Sequence, residues 1–224
     1  MKRMHLFFLS ALALCVFYCG SALADPVIDK VQETYKQIQS LRADFTQVLV
    51  HKESGSRKKL TGVLYFKKPL LMRWDVRAPS PELLIVNPKV IWNVFPDEEV
   101  AYKYAPDLAQ DSRSVAHVVT GQASLSQDFF VENTGEEKGL VSLRLYPKEP
   151  TESLVEARLW VDAKSGFIRR VCLYDFFGNE NDISFSKMDS KSPVANTLFD
   201  YTPQKGIDVE DRTKEKGHGS LPMM

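Results

Sequence analysis

The chain has 224 residues, 44% of them hydrophobic and 26% charged, with 29 basic residues against 29 acidic ones. That apolar content can fill one sizeable core, which excludes a disordered chain. The balanced charge offers no basic surface for nucleic acid.

The first 24 residues read as a leader. Lys2 and Arg3 make a basic start, Leu6 to Tyr18 an apolar run, and Ala22-Leu23-Ala24 a small-x-small cleavage site before Asp25. The run is short for a membrane anchor. Cys15 and Cys19 follow Leu14 and Tyr18, not the small residue a lipid-attachment signal wants. The expectation is an exported chain, cleaved after Ala24. Losing Lys2 and Arg3 leaves 27 basic and 29 acidic residues, a formal charge of −2. Only Cys172 remains, so no intrachain disulfide can form; its apolar surroundings predict a small buried hydrophobe.

Asp25-Pro26 is a helix start, with aspartate as cap and proline in the first turn. Val27, Ile28, Val31, Tyr35 and Ile38 then recur at helical steps, predicting an amphipathic helix that ends near Gln39 or Ser40. From Leu41 the period becomes two: Ala43, Phe45, Gln47 and Leu49 alternate with Asp44, Thr46, Val48 and Val50. Glu53-Ser54-Gly55-Ser56 is a turn.

The stretch from Gly62 to Trp74 reads as two strands hinged at Pro69, which cannot donate to a ladder. Leu64 and Phe66 share one face. After the proline, Leu70, Met72, Trp74 and Val76 alternate with Leu71, Arg73, Asp75 and Arg77. One face is therefore apolar and built from large side chains; the other carries charge and is expected to be solvated. Glu82 to Val86 is a further strand, with too little alternation to show its facing. Asn87-Pro88-Lys89 leads into Val90 to Phe95, and Pro96-Asp97-Glu98-Glu99 into Val100 to Tyr104.

Pro106 to Gln127 breaks the β rhythm. Val115, Val118 and Val119 are spaced like one face of a short helix that Gly121 could end. Strands resume at Phe129. Gly135 to Gly139 is read as a hairpin loop, Lys164-Ser165-Gly166 as a tight turn, and Gly178-Asn179 as the tip of a last hairpin. Phe199 to Pro203 is expected to form a short edge segment, and the chain from Arg212 to fray. The sum is about ten or eleven short strands without βαβ alternation, hence an antiparallel sheet that must curl or close.

No nucleophile elbow, phosphate-binding glycine loop or dinucleotide fingerprint is present, and His51, His117 and His218 are scattered without metal-ligand spacing. No catalytic residue, metal or cofactor is expected. What remains is an aromatic-rich interior, with Phe45, Phe66, Met72, Trp74 and Trp92 as candidates. These residues suit a filled core or a cavity. A large one-faced sheet with few, short helices to cover it favours a cavity for apolar ligands.

Four blocks in order carry a resemblance. They are Leu41-Arg42-Ala43-Asp44-Phe45-Thr46-Gln47; Gly62-x-Leu64-x-Phe66-Lys67-Lys68-Pro69 followed by Arg73-Trp74; Ile85-Val86-Asn87 with Lys89-x-x-Trp92; and Phe199-x-Tyr201-Thr202-Pro203-Gln204-Lys205-Gly206-Ile207-Asp208-Val209. Together they resemble the LolA family of periplasmic outer-membrane lipoprotein carriers, over about residues 38 to 210. The resemblance implies a mainly β fold with a few helices, an unclosed antiparallel half-barrel under a helical lid. It implies one carrier domain over 25–211, a flexible tail over 212–224 and a location in the periplasm. The cargo would be an acylated lipoprotein, handed from an inner-membrane ABC transporter to an outer-membrane acceptor, with no cofactor and no nucleic acid, by a monomer. By motif position and facing, Phe45, Leu64, Phe66, Met72, Trp74, Leu84 and Trp92 would line the acyl-chain cavity. Val115, Val118 and Val119 would belong to the lid, and Lys68 would stand where the family has an arginine that bonds lid backbone. Lysine offers a point charge in place of a planar fork. Pro88 departs from the family's usual turn glycine. A half-barrel regulatory sensor, or an exported binder of other apolar ligands, is the alternative reading; sensors of this kind are expected to carry a second domain.

Overall fold

The computed structural model describes residues 25–106, 117–118, 120–121 and 123–214. Helix α1 spans Pro26–Gln37, and the Asp25 carboxylate accepts from the Val27 amide at 2.8 Å, which closes its first turn. Its buried residues are Val31 and Tyr35, one turn apart on the expected face.

Twelve strands follow among the described residues. They are β1 (Ser40–Val50), β2 (Arg57–Lys67), β3 (Leu71–Ala78), β4 (Glu82–Val86), β5 (Ile91–Phe95), β6 (Val100–Tyr104), β7 (Phe129–Glu137), β8 (Leu140–Pro147), β9 (Glu156–Val161), β10 (Ile168–Tyr174), β11 (Glu180–Asp189) and β12 (Asp208–Asp211). A short helix α2, Leu125–Asp128, precedes β7. One sheet holds them all, in the order β12-β6-β5-β4-β3-β2-β1-β11-β10-β9-β8-β7. β1 sits mid-sheet, paired along its length with β2 on one side and β11 on the other. The edges β12 and β7 do not pair with each other, so the sheet is open. The fold is mainly β and unclosed.

Four local expectations change. The hairpin after β7 is a two-residue turn, Lys138-Gly139, with both residues at positive φ (52° and 79°). Such a turn matches strand twist, and β7 absorbs the rest of the proposed loop with a bulge between Asn133 and Gly135. The sheet is mixed: β12 runs parallel to β6. The edge strand is Asp208–Asp211, while Asn196–Phe199 forms a 3₁₀ turn and the chain from Asp200 to Gln204 carries no strand. Arg212, placed in the fraying tail, is tied down: its amide donates to the Lys103 carbonyl at 2.8 Å and its guanidinium lies 4.2 Å from the Tyr102 ring centre.

A larger correction concerns the face of the sheet taken as solvated. The C-terminal segment from Val194 to Ile207 straps across part of it. Lys67 Nζ donates to the Val194 carbonyl (3.0 Å) and to Asn196 Oδ1 (2.7 Å). Arg73 donates to the Leu198 carbonyl, and the Asn87 amide to the Phe199 carbonyl at 3.1 Å. Under the strap lies a second apolar cluster of Ile85, Trp92, Val94 and Ala101, against Tyr201 and Ile207. Of the charged residues of the β3 alternation, Arg73 thus bonds both strap backbone and Asp75, while Arg77 is exposed.

Candidate functional site

The inner face of the sheet, covered by α1 and α2, carries the main core. Phe45, Leu64, Phe66, Met72, Trp74 and Leu84 all lie there, each no more than 3% exposed. Register explains the grouping. Trp74 stands directly opposite Leu64 on β2 and Leu84 on β4, Phe66 opposite Met72, and Phe45 opposite Phe185. The Phe45 and Trp74 rings stack with centres 4.0 Å apart and planes 27° apart, and Phe185 meets Trp74 edge-on. Gly62 makes the stack possible: a Cβ there would lie 2.1 Å from the Asp75 carbonyl oxygen and 2.7 Å from Phe45 Cζ. The described residues of this face pack against one another in a closed interior.

Trp92 is not among them. Its register partner is Ile85, and both point to the outer face, where Trp92 meets Tyr201 edge-on at 5.3 Å. Asn93 holds the inward place beside Leu84. Because β5 is covered on both faces, its residues show no apolar alternation that could have fixed the phase.

Val118 is buried in the main cluster, while Val115 and Val119 lie outside the described residues. Gly121, at φ +68°, comes so close to the Tyr35 ring that a Cβ there would overlap it. Tyr35 in turn accepts from the Ile168 amide through its hydroxyl, and burial pushes its phenol well up. The Lys68 ammonium donates to the Lys36 carbonyl, in the last turn of α1. It thus satisfies one of the carbonyls that a helix C-terminus leaves free. Partial burial first, and then the Lys36 charge, lower its pKa.

Four polar groups on this face went unremarked in the sequence. Trp74 Nε1, both side-chain atoms of Asn93, Gln47 Oε1 and Asn181 Nδ2 are buried with no hydrogen-bond partner. Gln47 is wholly buried and donates through Nε2 to Asn181 Oδ1 at 2.9 Å. Orphaned groups in an interior are costly and rare, so each asks for an explanation. The available signal was Gln47 on the apolar face of the β1 alternation and Asn93 as the one polar residue of β5.

Two cavities adjoin this interior. One, about 400 Å³, lies between the β1–β2 and β10–β11 turns and includes Leu49, Leu173, Phe177 and Asn181 in its wall. The other, about 410 Å³, lies between α1 and α2 beside Lys68. Phe176 and Phe177, at the β10–β11 turn, are 71% and 69% exposed. Among the described residues no group of His, Cys, Asp and Glu could hold a metal ion. Cys172 is buried, which raises its thiol pKa.

The model of one protein family, described as outer membrane lipoprotein carrier protein LolA, matches residues 36–202. The chain belongs to the LolA family. A carrier protein of Dechloromonas aromatica is 25% identical over 81% of this chain and 86% of its own. One from Bordetella avium is 28% identical over 90% of this chain and 95% of its own. Both are named outer-membrane lipoprotein carrier proteins. An uncharacterized conserved protein of Thermus thermophilus shares the fold, with a TM-score of 0.54 at 12% identity, over 83% of this chain and 97% of its own. The LolA match includes α1's last residues, every inner-face residue named above, and the start of the strap.

Proposed function

We propose that this chain is a periplasmic carrier that takes up the acyl chains of outer-membrane lipoproteins on the inner face of its sheet. The observation that carries the reading is that face: Phe45, Leu64, Phe66, Met72, Trp74 and Leu84 form one continuous apolar surface beneath two short helices, in a chain of the LolA family. The physics demands such a surface. Each methylene buried is worth about 0.8 kcal/mol, so a multiply acylated protein does not cross water alone. A carrier must also let go. Met72 is unbranched and adaptable, and α1 and α2 can swing from the sheet without breaking a strand ladder. In this reading the closed interior is the unloaded state, and Val115, Val118 and Val119 belong to a lid that lifts with the helices.

Residues 1–24 are the export leader, cleaved after Ala24. Residues 25–211 are a single carrier domain, with 212–224 as a tail. The protein works as a monomer, without cofactor and without catalysis. It receives cargo from an inner-membrane ABC transporter and delivers it to an outer-membrane acceptor. The test is to incubate spheroplasts with purified residues 25–224 and analyse the supernatant. The expected result is a one-to-one complex with an acylated lipoprotein. A folded protein that releases none, beside a control carrier that does, contradicts the proposal.

A further inference from the structure

The inner face ends in a polar pair. On β1, Gln47 follows Phe45 inward; on β11, which runs the opposite way, Asn181 precedes Ile183 on the same face. Leu49 stands opposite Asn181, and Leu173 opposite it on β10. Gln47 is fully buried and Asn181 only 7% exposed. One hydrogen bond joins the two amides and leaves Gln47 Oε1 and Asn181 Nδ2 unpartnered. Turning both amides over would again leave one donor and one acceptor free. A purely structural pair at this depth should satisfy itself.

Asn181 borders the cavity of about 400 Å³ between the two turns. Leu49 and Leu173 form apolar wall there, and both also pack in the main core, so the wall continues into the inner face. Phe177 overhangs the mouth and is 69% exposed. Glu152, Asp175 and Glu180 surround the opening, and Asp175 is engaged by the amide and side chain of Asn179. Three carboxylates at one mouth repel an anionic ligand. The site therefore asks for a neutral molecule, apolar along its length, with an acceptor at one end.

We propose that this cavity holds the carbonyl that joins an acyl chain to its head group, as ester or amide, with the free N–H of the Gln47–Asn181 pair donating to it. The chain then runs over Leu49 and Leu173 toward the inner face, and the rim carboxylates reject free fatty acids. This rests on the carrier reading and adds to it the recognition of the linkage as well as the hydrocarbon.

The test uses three probes of matched length on purified residues 25–224: methyl dodecanoate, dodecyl methyl ether, which lacks the carbonyl, and dodecanoate anion. Affinities are measured by calorimetry. The ester should bind about tenfold more tightly than the ether, the worth of satisfying one buried donor. The anion should bind most weakly. In Asn181→Leu, which removes the free donor, the ester should lose its advantage while ether binding stays within about twofold, with circular dichroism unchanged. Equal binding of ester and ether by the unaltered protein overturns the linkage site and leaves the carrier reading standing. Anion binding as tight as the ester's overturns the role of the rim. Failure to bind any probe, by protein that still takes up lipoprotein from spheroplasts, overturns the linkage site alone.

Discussion

Gly62→Ala is the sharpest perturbation of the inner face, since it adds a single methyl. In the native geometry that carbon would sit 2.1 Å from the Asp75 carbonyl oxygen, a main-chain atom, and 2.7–2.8 Å from two atoms of the Phe45 ring. Neither neighbour is the loose end of a flexible chain. Gly62 pairs with Phe45 on β1 and Val76 on β3, so its backbone is held from both sides. Overpacking of this kind costs about 1–3 kcal/mol. Displacing Phe45 from the Trp74 stack costs about another 0.5–1.5 kcal/mol. The expected loss is thus about 2–4 kcal/mol, which in urea, at about 2 kcal/mol per molar, lowers the midpoint by about 1–2 M. Tryptophan fluorescence should change, because the stack that holds Trp74 at 4.0 Å is disturbed. Phe45→Leu in the same chain should recover part of the loss, with a coupling of about 1 kcal/mol or more in a double-mutant cycle; the Asp75 carbonyl prevents full recovery. A loss under about 0.5 kcal/mol with unchanged fluorescence refutes the geometry. So does strict additivity of the two substitutions.

Lys68→Met should free the Lys36 carbonyl and loosen the end of α1, at about 0.3–1 kcal/mol, read as faster amide exchange over Thr34–Ile38. Unchanged exchange there would mean that Lys68 does not hold the helix. Phe199→Ala should cost about 3–5 kcal/mol in urea, because its ring, carried by the strap, is buried; a cost under about 1 kcal/mol would place the strap off the sheet. The Ser192 hydroxyl, with the Ser192 and Lys191 amides, holds the Asp189 carboxyl at about 2, below its ordinary 3.8. A depressed folded pKa stabilises the protein above the unfolded value, and that contribution is lost as pH falls from about 3.8 toward 2. Carbon-detected NMR titration should find the Asp189 midpoint near 2, and a midpoint near 4 would contradict the turn that starts the strap.

The inner face was legible because β1 and β3 carry polar residues at alternate positions, and a two-residue period reports the pleat directly. Phe45, Met72 and Trp74 follow from that, while on β2, where Val63 and Tyr65 are apolar too, Leu64 and Phe66 could be grouped only as sharing one face. Trp92 did not, because β5 is buried on both sides and a strand apolar at every position but Asn93 hides its phase. The outer strap was hidden for the opposite reason. Lys67 and Arg73 look like solvent-facing residues, and only the structure shows their charged ends bonded to strap carbonyls. Strand β12 is exposed throughout, so no burial pattern marked it, and its parallel pairing depends on a chain that returns across the sheet. Gln47 and Asn181 lie 134 residues apart, and nothing local in either stretch announced that they meet.

The central claim is that acyl chains lie on the inner face. Photo-crosslinking tests it most directly. A benzophenone side chain would replace Met72 or Leu84 on that face, and Val63 or Ile85 on the other, in protein loaded from spheroplasts. The account predicts crosslinks to the lipid part of a lipoprotein from positions 72 and 84 and none from 63 and 85. Crosslinks from the outer positions, or from all four alike, would contradict it.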